Sequence, residues 1–118
     1  MSKAEYWQRG EAIDFVNNTT AKIDANEIVT FGARIGVAGT PIEVGETGTL
    51  HVFGVFEMPK TSANAISEGV TVYFDGTGIT EAADDGGTGD AKETYICAGY
   101  ATEAAAASDL TIKVKLLG

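Results

Sequence analysis

The run GTLHVFGVFEMPK, Gly48 to Lys60, constrains the fold more than any other part of this chain. Alternate residues Leu50, Val52, Phe56 and Met58 share one face with Gly54 among them, while Thr49, His51, Phe53, Val55 and Glu57 share the other. The run reads as one long strand. Its first face is wholly apolar and its second is mixed, so it is expected to cross the middle of a small sheet or barrel, mostly buried on both sides. Gly54 breaks both patterns. A glycine inside a strand marks a bulge, a bend or a close backbone approach, which suits a strand turning a barrel corner.

The rest of the chain offers partners of the same kind. Glu11 to Val16 (EAIDFV), Glu27 to Phe31 (EIVTF), Ala33 to Val37 (ARIGV) and Val70 to Phe74 (VTVYF) read as short strands separated by turn residues. Thr94 to Ala101 (TYICAGYA) is nearly continuous in apolar residues and reads as an interior strand. In the last strand, Leu110, Ile112, Val114 and Leu116 should point inward and Thr111, Lys113 and Lys115 outward, as on a solvated or edge strand. Between them, DGTGITEAADDGGTGDAKE is a long polar loop with room for a short hairpin, and ATEAAAASD is too short for a stable helix. Fifteen glycines against two prolines fit many tight turns. The expected fold is all-β: a small single-domain β-barrel or β-clip-like fold over residues 11–118, preceded by an N-terminal arm at residues 1–10.

One local device recurs. IDANEIV (Ile23 to Val29), IEVGETG (Ile42 to Gly48) and ISEGVTV (Ile66 to Val72) each place Asn26, Gly45 or Gly69 three residues after an isoleucine. Asparagine and glycine tolerate the positive φ of a turn entering a strand. The spacing between copies is unequal, so the reading is a recurrent turn and not a solenoid.

Seventeen acidic residues against eight basic ones give a net charge of −9, which argues against unaided binding to a phosphate backbone and makes nucleic acid a poor partner. One cysteine rules out an internal disulfide, and MSKAEYWQRG holds no apolar run for a signal peptide or membrane span; synthesis in a host cytoplasm is expected.

Candidate chemistry is thin. GVFEMPKT, Gly54 to Thr61, imitates the phosphate-loop pattern GxxxxGK[ST], but Pro59 stands where the second glycine should be. Proline has neither the N–H nor the open backbone that a phosphate needs. Lys60 is then expected to be a solvated lysine at a strand end. His51 is the only histidine and has no nucleophile motif around it. Cys97, between Ile96 and Ala98, should be a small buried hydrophobe. The acidic residues Asp84, Asp85 and Asp90 do not follow the alternation of a calcium loop. No catalytic residue, metal ligand, cofactor or small-molecule substrate is indicated. The arm does carry two aromatics, Tyr6 and Trp7, with Arg9 beside them; these three are the candidate interface residues.

YWQRGEAIDFVN, IGVAGTPIEVGETGTLHVFGVFEMPK, ISEGVTVYFD and the ending AGYATEAAAASDLTIKVKLLG, in this order and spacing, resemble the small capsid cement, or head-decoration, proteins of tailed phages. Members have at times been labelled recombinase-like, a label that Pro59 argues against. The resemblance implies a structural protein on the outside of an expanded capsid, with the major capsid protein as partner, commonly acting as a homotrimer. The residues alone also admit a small acidic β-barrel binding module, or an enzyme subunit of unknown ligand.

Overall fold

The computed structural model describes residues 2–6, 9–87 and 92–116. Among them are nine strands: β1 (Ala12–Val16), β2 (Ile28–Phe31), β3 (Arg34–Ala38), β4 (Thr47–His51), β5 (Val55–Pro59), β6 (Thr71–Phe74), β7 (Ile79–Thr80), β8 (Ile96–Ala101) and β9 (Thr111–Leu116). They form two antiparallel sheets, ordered β1-β4-β3-β2 and β5-β9-β8-β6-β7. The chain is all-β and a compact single domain, with one sheet curled into a half-barrel.

The stretch expected as one strand is two. β4 ends at His51 in the first sheet and β5 begins at Val55 in the second. The Val52 amide donates to Glu11 O (3.0 Å), the last rung beside β1, and the Leu116 amide donates to Gly54 O (3.0 Å), the first rung beside β9. The chain therefore changes sheets across Val52, Phe53 and Gly54. Gly54 has φ 124°, in the left-handed region that a side chain disfavours, so the corner falls where the glycine interrupts the pattern. Leu50, Val52 and Met58 are buried as expected. The opposite face is not: Phe53 is 52% exposed and Val55 53%.

The two sheets repeat one design. β1-β4-β3-β2 and β5-β9-β8-β6 have the same order, and their registers agree as far as the Val29 and Val72 rungs, beyond which β8 slips by one residue against β6. Ala12 faces His51 as Val55 faces Lys115, Ala38 faces Leu50 as Ala101 faces Val114, and Val29 faces Gly36 as Val72 faces Gly99. The turns repeat as well. Ile23 and Ile42 exchange two backbone hydrogen bonds (3.0 and 2.8 Å), and so do Ile66 and Ala105 (2.9 and 2.8 Å). Each of these four residues is buried and opens a β-turn, closed from Glu27 N to Asp24 O, Glu46 N to Glu43 O, Val70 N to Ser67 O and Asp109 N to Ala106 O. Asn26, Gly45 and Gly69 hold φ of 70°, 83° and 83°, as their residue types imply. The fourth turn, Ala105 to Asp109, has alanine for isoleucine and Ser108 at the third turn position, and the sequence pattern does not show it. In three turns a carboxylate folds back on the turn's first amide: Glu27 to Asp24 N (2.8 Å), Glu46 to Glu43 N (3.2 Å) and Asp109 to Ala106 N (2.8 Å).

The core is correspondingly double. Ile23, Val29, Ala38, Ile42 and Leu50 form a small cluster in the first half, with Ile13, Phe15 and Phe31 packed on it. The larger cluster holds their counterparts Ile66, Val72, Ala101, Ala105 and Val114 with Met58, Phe74, Ile79, Ala98, Ile112 and Leu116. Ile35 and Val37 of β3 join this second cluster, so the outer face of β3 lies against the inside of the second half. Burying apolar side chains from both halves in one cluster, at about 25 cal/mol per Å², makes the halves one cooperative unit.

Other expectations need correcting. β9 lies between β5 and β8, so its lysines mark a solvated face and not an edge. Leu110 is 83% exposed, one residue before β9 begins. Cys97 is only half-buried, because β8 slips against β6 at Val72/Tyr73. The polar loop does contain a hairpin: β7 returns on β6, and Asp84 bridges Thr94 further along.

Candidate interaction surfaces

Lys60 is the clearest reversal of a sequence expectation. Far from being solvated, it is 8% exposed, with Nζ donating to Ser62 O (2.6 Å) and Ala107 O (3.3 Å). Its ammonium is spent on the protein's own carbonyls, so it cannot reach a phosphate, and Pro59 sits in the β5–β9 ladder opposite Thr111. Beside it lies Glu81, which the sequence reading did not single out. Partial burial pushes the Glu81 carboxyl up, but the Ser62 and Asn64 side chains and the Lys60 charge outweigh it and hold the pKa below its ordinary value. Asn64 Nδ2 donates to Glu81 Oε1 at 2.8 Å. Asp75 is set the same way: burial raises it, the Thr61 hydroxyl (2.6 Å) and the Gly78 and Thr77 amides (2.9 Å each) lower it, and the net direction is down. These carboxylates tie the loop after β5 to the β6–β7 hairpin. Their chemistry is structural.

The other singled-out groups stay apart. His51 is exposed at the end of β4, its ring tilted against Phe56 at 6.3 Å. Asp84 accepts from Gly86 N (2.8 Å) and pairs with Lys92 (3.1 Å); both interactions lower its pKa. Asp85 accepts from Gly87 N, and Asp90 lies outside the described residues. Among the described residues no three His, Cys, Asp or Glu side chains converge as a metal site. A cleft of about 240 Å³ near the start of β9 is lined by Glu57, Glu103, Asp109 and Lys113 together with Ala104, Ala105 and Leu110 to Ile112.

In the arm, Tyr6 is 85% exposed, and Arg9 makes an ion pair with Glu11 (3.4 Å) while its side chain stays 82% exposed. Trp7 lies outside the described residues. Tyr6 and Arg9 thus stand clear of the core.

A second exposed apolar surface lies on the outer face of the β5-β9-β8-β6 sheet. Val55 faces Lys115, Lys115 faces Tyr100 and Tyr100 faces Thr71, forming one row across four strands. Phe53 closes its end, with Lys115 Nζ 4.2 Å from the ring centroid. Phe53, Val55 and Tyr100 are 52%, 53% and 39% exposed. The signal in the sequence is the pair Phe53 and Val55, apolar residues on the mixed face of the run 48–60.

No curated protein and no solved structure matches this chain. A family model described as phage cement protein matches residues 7–116, from the arm to the end of β9. That span takes in both halves of the repeated fold, and by it the chain belongs to the phage cement protein family.

Proposed function

We infer from membership of this family a structural role, association with phage capsid proteins and a place on the virion capsid. We propose that this protein binds the outer surface of the phage head, bridges neighbouring major capsid protein subunits and stabilises their contacts, acting there as a homotrimer. The observation that carries the reading is the family match over 7–116. The fold is compatible with it. An all-β domain whose buried Asn17 and Lys60 are engaged in its own loops, and whose exposed aromatics lie on its surface, is built to be held by another protein. Tyr6, Trp7 and Arg9 are proposed as a docking arm that orders against the shell or a neighbouring copy. Aromatic side chains bury much area for little lost rotamer entropy.

The test is to image phage heads with and without the protein by electron microscopy, and to measure its amount in purified virions. Density on the outer surface, in a fixed ratio to the major capsid protein, is the expected result. Its absence from virions would contradict the reading.

A further inference from the structure

The duplicated fold lets one half show what the other lacks. Gly32 and Ala33 alone join β2 to β3, whereas residues 75–95 join the equivalent strands β6 and β8. That longer connection carries β7, which adds a strand to the outer edge of β6 with Thr80 opposite Tyr73. β7 is held on its other side as well. The Thr61 amide donates to Ile79 O (2.9 Å), and Asn64 donates to Glu81 just beyond it (2.8 Å). Ile79 is fully buried there.

The first half has both walls of this slot and, among the described residues, no strand between them. Thr30 stands at the position of Tyr73, Asn18 at that of Thr61, and Thr19 and Ala21 at those of Ser62 and Asn64. β2 is the outermost strand of its sheet. The Ala38 amide donates to Glu27 O (2.9 Å), so alternation commits Glu27, Val29 and Phe31 to β3 and turns the N–H and C=O of Ile28 and Thr30 outward. The same alternation, counted from the Asp75 N to Gly78 O bond (3.0 Å), turns Tyr73 toward Thr80. Beside β2, along the loop 19–23, runs a groove of about 230 Å³.

Resting on the capsid-binding reading above, we propose that this groove takes the N-terminal arm of a neighbouring copy, whose residues 3–6 add a strand to the edge of β2. An outer strand with outward backbone groups is a template for an extended segment. The arm is such a segment: residues 2–6 form no strand, are exposed throughout, and lie at one end of the chain. Its charge suits another copy. Lys3 and Arg9 against Glu5 make the arm net positive on a chain of net charge −9, so it is drawn to a neighbour's body. The groove itself is close to neutral, since Lys22 pairs with Glu43 (3.5 Å) and Glu27 folds back on Asp24 N (2.8 Å). The fit there rests on backbone pairing, with the Ala4 and Tyr6 face turned inward as Ile79 is in the second half. A copy's own arm is placed otherwise. It enters β1, which lies at the opposite edge of the sheet from β2, and Tyr6 at 85% exposure stands clear of its own groove. Arm and groove are different surfaces, so the contact is head-to-tail and closes into a ring, as a homotrimer requires. The shell holds copies side by side and so supplies the local concentration that a short strand needs.

The experiment titrates a fluorescein-labelled peptide of residues 1–10 onto the protein lacking residues 2–9, followed by anisotropy. One peptide should bind per chain. An added strand pairs through alternate amides, so N-methylation of either Ala4 and Tyr6 or Lys3 and Glu5 should weaken binding at least about tenfold, and methylation of the other pair should not. Thr30→Pro in the protein removes an outward amide, a change that edge strands tolerate, and should weaken binding as much. No binding at millimolar peptide, equal effects of the two methylated peptides, or parent-like binding by Thr30→Pro would overturn the added strand while leaving the capsid reading intact. If Thr30→Pro does not fold, the methylated peptides decide. Which chain supplies the arm is read on capsids, with Tyr6→benzoylphenylalanine and ultraviolet light. Links between copies that map to β2 or the loop 19–23 are expected; links only within one chain, or only to the major capsid protein, would overturn exchange between copies. Failure of the parent to bind capsids would overturn the capsid reading, and exchange on the shell with it.

Discussion

Asn17 and Lys60 hold the same place in the two halves of the fold, each just past the first strand of its half, and both are buried polar residues that pin loop carbonyls. Asn17 is fully buried, and its Nδ2 donates to Ala21 O and Ile42 O at 2.9 Å each; Lys60 Nζ reaches Ser62 O and Ala107 O. Each side chain thus fastens the loop that follows it to the loop entering another strand. The residues differ, but the task is one: a carbonyl left without a donor in a tight, partly buried loop costs free energy that water cannot recover.

Lys60→Ala should therefore destabilise the isolated protein by about 2–3 kcal/mol, since it leaves Ser62 O and Ala107 O without that donor, and Asn17→Ala by a similar amount, since it removes a fully buried amide that donates to Ala21 O and Ile42 O and accepts from Thr19 N. Urea unfolding followed by fluorescence measures both. A Lys60→Ala protein as stable as the parent would restore the solvated lysine expected from sequence and contradict the pinning role.

The turns predict a graded series. Nothing lies within 4 Å of a Cβ built on Gly45 or Gly69, so alanine there meets only the conformational cost of positive φ, about 1–2 kcal/mol. Asn26→Gly should be close to neutral. Gly99→Ala is different in kind, because its Cβ would collide with the Lys115 backbone carbonyl, and it should prevent folding. A thermal melt of the set checks the order.

Acid should loosen the region joining β5 to the β6–β7 hairpin first. Asp75 and Glu81 have folded pKa values below their ordinary ones, so their contribution is present above the unfolded values and is lost as the pH falls through the folded ones, below about pH 4. Thr61→Val removes one of the donors to Asp75 and should reduce the stability at pH 6, by an amount that shrinks as the pH falls and the carboxylate takes up its proton. Hydrogen exchange at the β7 amides reads the effect locally.

Deleting residues 2–9 should weaken capsid binding while moving the melting temperature of the isolated protein by no more than a degree or two, because Tyr6 and Arg9 make no contact with the core. Melting that falls with the arm would assign it to a lid on the domain.

Much of the fold was legible in the sequence. The strand alternations, the corner glycine at Gly54 and the turns at Asn26, Gly45 and Gly69 follow from backbone rules that admit few residue types. The break between β4 and β5 was not, because Leu50, Val52, Phe56 and Met58 stay in phase through the corner and both sheets bury the same alternate positions. The fourth turn escaped notice because Ser108 needs no positive φ. Lys60 was misjudged because its partner Ala107 lies 47 residues away, and no local pattern announces such a contact. The exposed row was hidden by its own composition, since Phe53 and Val55 read as core.

The central claim is that this protein strengthens a phage capsid by binding across its subunits. The direct measurement is the melting temperature of capsids lacking the protein, followed as purified protein is added. A partner that binds only the assembled shell stabilises it in proportion to the logarithm of its concentration over its dissociation constant. The melting temperature should rise with added protein and continue to rise past half-occupancy; a flat response at saturating occupancy would contradict the cement function.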